Sequence, residues 1–108
     1  MLPLIEQNRA EVGELCRQYH VKRLDVFGSA VAGRFRAATS DLDFIVSFAD
    51  TSAGYADRYL GFVEALEELF QRKVDLLTER SIRNPFFRQA IAKDRQCIYE
   101  QKRQETAL

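Results

Sequence analysis

The sequence predicts an α/β domain, and three observations carry that expectation. Short apolar runs at Leu24 to Phe27, Leu42 to Phe48 and Val74 to Thr78 have the length and composition of strands. The segments around them recur at helical intervals instead, most clearly Tyr55, Tyr59, Phe62, Val63, Leu66, Leu69 and Phe70. A chain of 108 residues with 46% hydrophobic content can bury one modest core, so residues 1–108 are expected to form a single domain.

Each element has its own local reason. A first helix is predicted roughly from Pro3 to Tyr19, because Ile5, Val12, Leu15, Cys16 and Tyr19 gather on one face. Strand one follows at about Leu24 to Phe27. After Gly28-Ser29, the Ala-rich Ala30-Val31-Ala32 reads as the first turn of a short helix, and Gly33 to Thr39 as a basic loop. Strand two, Leu42 to Phe48, is polar at its start and apolar through its middle, as a central strand is. The stretch Asp50-Thr51-Ser52-Ala53-Gly54 breaks the pattern before the Tyr55 to Phe70 helix. After strand three, Ser81 or Asn84 is expected to cap a last helix with Pro85 in its first turn and Phe86, Phe87, Ala90 and Ile91 on its inner face. Cys97 falls near a terminal strand, and Gln101 to Leu108 is polar and expected to fray.

Composition narrows the function. Sixteen basic and sixteen acidic residues give zero formal net charge, so no global field draws nucleic acid to the chain as a direct ligand. Glu6, Asn8 and Arg9 interrupt the apolar start, and no run approaches membrane length; a cytoplasmic protein with no membrane partner is expected. Two cysteines do not make a disulfide framework, and Cys16 and Cys97 read as core thiols. His20, the one histidine, reads as a last-turn cation or surface group.

The candidate chemistry lies in the aspartates. In a strand side chains alternate faces, so Asp41 and Asp43 of Ser40-Asp41-Leu42-Asp43 point one way and Leu42, Phe44 and Val46 the other. Asp-x-Asp also arises by chance, and Ser-Asp is a common turn or cap. Yet like charges side by side at a strand start repel unless a cation or donor neutralises them. Asp75, the one acid in Val74-Asp75-Leu76-Leu77, disfavours both strand and burial and is expected to face the same site. Three carboxylates suit Mg²⁺, which takes oxygen ligands and keeps positions for water and phosphate. No His or Cys cluster points to zinc. Gly28-Ser29 stands between a strand and a helix start. There the backbone can approach a phosphate closely, although an ordinary capped turn has the same appearance.

Taken together, Gly28-Ser29, Gly33, the Asp41/Asp43 pair and the distant Asp75 resemble the nucleotidyltransferase superfamily with the DNA polymerase beta-like palm, a small mixed sheet flanked by helices. The chain is most similar to the minimal nucleotidyltransferases, short proteins often paired with a HEPN-domain partner as toxin-antitoxin modules. FGSAVAGRFRAATSDLDFIVSF, Phe27 to Phe48, carries most of the match, and KVDLLTERSIRNPFFRQAIAKDRQCIYE extends it. One departure is Ala32, where many members carry Arg before the glycine. Arg34 is a candidate replacement contact to phosphate, with Arg36 nearby, and both also fit solvated surface charges.

The resemblance implies Asp41, Asp43 and Asp75 as catalytic and metal-binding residues for two Mg²⁺ ions, with Gly28, Ser29 and Arg34 binding the nucleotide. ATP would be the substrate, and AMP would pass to a hydroxyl, a tyrosine's, on a HEPN-domain toxin. So small a palm leaves few residues for an acceptor pocket, so a protein partner would present the hydroxyl. Phe35, Tyr55, Phe86 and Phe87 are open between core and partner contact. Two other readings stay open. One is a binding-only antitoxin that masks its partner without turnover. The other is an enzyme acting on a small molecule or an RNA end, relatives of which usually carry an added domain.

Overall fold

A computed structural model gives the fold, described for residues 3–28, 41–49 and 53–101. The N-terminal apolar stripe forms two helices rather than one: α1, Pro3–Gln7, and α2, Arg9–Gln18. The break is at Asn8. Its side-chain amide donates to the Leu4 carbonyl at 2.9 Å and its backbone N–H to Ile5 O at 3.2 Å, while its own carbonyl accepts from Val12 N at 2.9 Å and starts the second helix. Asparagine competes with the helix ladder in this way, and apolar spacing alone does not reveal it.

A turn through His20, left-handed at φ 60°, leads into β1, Val21–Phe27. The strand starts earlier than its apolar run suggests. A register shift between Val21 and Arg23 leaves Lys22 exposed and Arg23 half-buried, so the alternation is broken where the strand begins. β2 is Leu42–Phe48, α3 is Tyr55–Phe70 and β3 is Val74–Thr78, as the sequence predicts. A single 3₁₀ turn, Glu79–Ser81, precedes α4, Pro85–Ala92, and β4, Gln96–Glu100, closes the described chain. Of the two candidate caps, Asn84 fills the role: its side chain accepts from Phe86 N at 2.8 Å and Phe87 N at 3.3 Å, with Pro85 in the first turn.

The four strands form one mixed sheet in the order β3-β2-β1-β4. β1 runs antiparallel to β2 and to β4, while β2 and β3 are parallel and α3 is the crossover that a parallel pair needs. One face carries the main core. Leu24, Val26, Leu42, Phe44, Val46, Val74 and Leu76 pack there against Ile5, Val12 and Cys16 of the first two helices and Phe62, Leu66 and Phe70 of α3. On the other face a smaller cluster joins Ile45, Phe27 and Leu77 to Ile82 and Ile91.

That second face is only partly covered, and two expectations fail there. Phe86 is 81% exposed and Phe87 41% exposed, so of α4's apolar residues only Ile91 is buried. The patch beneath is small, and a helix phased by the Asn84 cap sets one residue on it. Cys97 is exposed rather than core, whereas Cys16 is buried, with its thiol pushed up to about 12 by desolvation.

Three polar groups along β3 are bonded to side chains. Val74 N donates to Glu67 Oε2 at 3.1 Å, the Tyr59 hydroxyl donates to Leu76 O, and Ser81 Oγ donates to Thr78 O at 2.8 Å. Among the described residues no helix is long and apolar enough to cross a membrane.

Candidate active site

The second face of the sheet holds the acids. Asp43 on β2 lies opposite Phe27 of β1 and in register with Asp75 of β3. Residues paired across strands share a face, so Asp43 and Asp75 stand side by side, and Leu42, Phe44 and Val46 point to the main core. Asp41 is exposed just before β2. The sequence thus places all three carboxylates at one end of the sheet. Among the described residues no three of His, Cys, Asp and Glu are gathered into a ready-made ion cage; the tight contact is the Asp43–Asp75 pair.

The electrostatics agree. Half-buried Asp43 has its carboxyl pushed up from 3.8 to about 6, first by desolvation, then by the charge of Asp75 and a hydrogen bond with it, and lastly by the charge of Asp41. Two carboxylates held together at such a cost are the environment that a cation or a shared proton relieves.

Gly28 closes the site from the β1 side. Its φ of +76° lies in the left-handed region, and a Cβ there would stand 2.6 Å from Asp43 Oδ2. Only glycine provides both the backbone turn and the open space above the carboxylate. Ser29, Ala32, Gly33 and Arg34, with Phe35 and Arg36, lie outside the described residues.

A cleft of about 510 Å³ opens over the pair. Phe27, Asp43, Asp75, Leu77 and Phe87 line it from the second face, and Tyr59, Leu60 and Val63 of α3 from across β3. The helical spacing picks out Tyr59, which packs against the edge of the main core and, at the start of its helix, is also open to a partner, and it passes over Leu60. Tyr59 is half-buried, and desolvation first, then Tyr55 and Asp75, raise its hydroxyl pKa.

A further acid escaped notice. Asp25, 0% exposed, sits in the middle of β1 on the same face as Asp43. The signal was present, because an acid inside an apolar strand run is what singled out Asp75. Its chemistry is different: Arg23 Nε donates to Asp25 Oδ1 at 2.9 Å and Arg95 to Oδ2, while Arg95 also pairs with Glu79. Arg95, chiefly through its hydrogen bond, and the charge of Arg88 hold the Glu79 carboxyl below its usual range. Asp25 is therefore a neutralised strut.

The family model described as a nucleotidyltransferase domain matches residues 11–98, which include the whole sheet up to Ile98 and every acid of the site. The chain belongs to the nucleotidyltransferase domain family. It is similar to "Putative protein adenylyltransferase MJ1379" of Methanocaldococcus jannaschii, 36% identical over 77 residues, or 71% of this chain and 76% of that protein. Among solved structures it resembles one described as "putative minimal nucleotidyltransferase", with 30% identity, a TM-score of 0.69 and coverage of 84% of this chain and 89% of that one. It also has the fold seen in the complex of a tri-AMPylated Shewanella oneidensis HEPN toxin with an MNT antitoxin, at 19% identity, TM-score 0.61, and 89% and 72% coverage. The chain is a minimal nucleotidyltransferase, with the mixed sheet flanked by helices that the sequence predicts.

The donor set of this nucleotidyltransferase suits Mg²⁺. Its acids offer hard oxygen atoms only, Asp43 is perturbed by a neighbouring negative charge, and Gly28 leaves open the space above Asp43 Oδ2 that any side chain would fill.

Proposed function

We propose that this nucleotidyltransferase moves AMP from ATP, with Mg²⁺, to a side-chain hydroxyl of a partner protein, a tyrosine of a HEPN-domain toxin, and so acts as its antitoxin. The observation that carries the reading is the Asp43–Asp75 pair, in register on parallel strands and faced by a left-handed Gly28. The names of its relatives support the rest, since one speaks of protein adenylyltransferase and another of an AMPylated HEPN toxin bound to an MNT antitoxin.

In this reading Asp41, Asp43 and Asp75 would hold Mg²⁺, which would supply charge neutralisation for the triphosphate. The bare backbone at Gly28, continuing into Ser29, receives the β- and γ-phosphates, with Arg34 as a further phosphate contact. Asp75 orients the acceptor hydroxyl and takes its proton, which passes on to water. The acceptor oxygen bonds to the α-phosphorus as the bond from that phosphorus to the bridging oxygen breaks, and pyrophosphate leaves. A cytoplasmic setting suits a chain that uses ATP.

The test is transfer of label from α-labelled ATP with Mg²⁺ to the protein encoded beside this gene, in wild type and in Asp41→Asn. Labelled partner, lost in the variant, is the expected result. Binding of the partner with no label from any of the four nucleoside triphosphates would replace the enzyme by a masking antitoxin.

A further inference from the structure

We infer that the acceptor protein docks on an apolar wall formed by Leu60, Leu77 and Phe87, entering the site across β3; this rests on the adenylyl transfer proposed above. The direction follows from the sheet order. Gly28 approaches Asp43 from β1 and Asp75 from β3, and these strands flank β2 on opposite sides. In-line displacement at phosphorus needs the attacking and leaving oxygens on opposite sides of that atom. With the leaving phosphates on the Gly28 side, the hydroxyl comes from the β3 side.

What lies there is suited to protein. Leu60 is 59% exposed and Phe87 41% exposed, and with Leu77 they line the cleft that contains both carboxylates. A second cleft of about 550 Å³ continues along α3 and shares Tyr59, Leu60, Leu76 and Leu77 with the first. The remaining large apolar side chain exposed among the described residues, Phe86, adjoins Phe87 in α4's first turn. Apolar surface gathered beside a charged reaction centre marks a contact. The occupant is thus a segment of the acceptor protein that carries bulky apolar side chains next to its reactive hydroxyl.

Leu60→Gln and Phe87→Gln, on two different elements and without adding charge beside the carboxylates, test this with the purified protein encoded beside the gene. Each is expected to weaken partner binding in calorimetry at least tenfold and to raise the KM for the partner at least tenfold. The kcat at saturating partner and the affinity for a non-hydrolysable ATP analogue should stay within twofold. Thermal unfolding checks the fold, and Leu60→Ser and Phe87→Ala replace any variant that does not fold. Partner affinity and KM unchanged in both would overturn the assignment. Weakened binding of the ATP analogue would also overturn it, by giving the wall to the nucleobase. A partner that binds wild type but is never labelled ends the adenylyl-transfer reading, while the docking surface is still decided by the two affinities. A partner that neither binds nor takes label overturns both.

Discussion

Gly28 and Asp43 constrain one another at the scale of single atoms. Alanine at position 28 would meet both a left-handed backbone and the Asp43 carboxylate 2.6 Å away. Gly28→Ala is therefore expected to cost roughly 1–3 kcal/mol in chemical denaturation and to lower transfer at least about a hundredfold, as loss of charge-stabilising groups does. Asp43→Asn should separate stability from activity. Because the folded-state pKa is raised, the protonated form is favoured in the fold: in metal-free protein this stability is present at low pH and is lost as pH rises from 3.8 through about 6. The amide removes that penalty, so at pH 8 Asp43→Asn should melt higher than wild type by on the order of 1 kcal/mol, the gap should close near pH 4, and transfer should be lost. Thermal melts at both pH values without metal check the sign. At this scale the sequence spoke clearly for Asp43 and Asp75, because an acid in a strand is conspicuous. It could not separate a reactive acid from Asp25, since Arg95 is seventy residues away from it along the chain.

Among the elements, α4 depends most on one residue. Asn84→Ala removes the acceptor for Phe86 N and Phe87 N and should cost about 1 kcal/mol, seen as a drop of roughly 4–8 °C in melting temperature. The strut behind that helix matters more. Arg95→Ala leaves the buried Asp25 with the half-exposed Arg23 and should cost about 3–5 kcal/mol, whereas the pair Asp25→Leu with Arg95→Met should recover much of the loss. Denaturant melts of wild type, Arg95→Ala and the double variant measure it. α3, β2 and β3 were legible because each keeps one period from end to end. The break at Asn8 and the start of β1 were not, because a side-chain hydrogen bond and a register shift leave the apolar count nearly unchanged. Phe86 and Phe87 misled for the opposite reason: helical spacing tells which residues share a face, and it does not tell whether anything covers it.

Over the whole molecule, the sequence announces one core and the structure divides it in two unequal parts. The helices α1 to α3 seal one face of the sheet, and the thin cover on the other leaves the acids in reach of substrate. This asymmetry was invisible along the chain, where Ile45 and Val46 look alike although they serve opposite faces. The bonds along β3 have a consequence for life in a crowded cell. A parallel outer strand of Val, Leu and Leu is the sort of template on which a second chain adds and fibres grow. Glu67, Tyr59 and Ser81 occupy three of the groups such a newcomer would need. Along this edge, beside its acids, the chain offers a visitor side chains to recognise more than a backbone to copy.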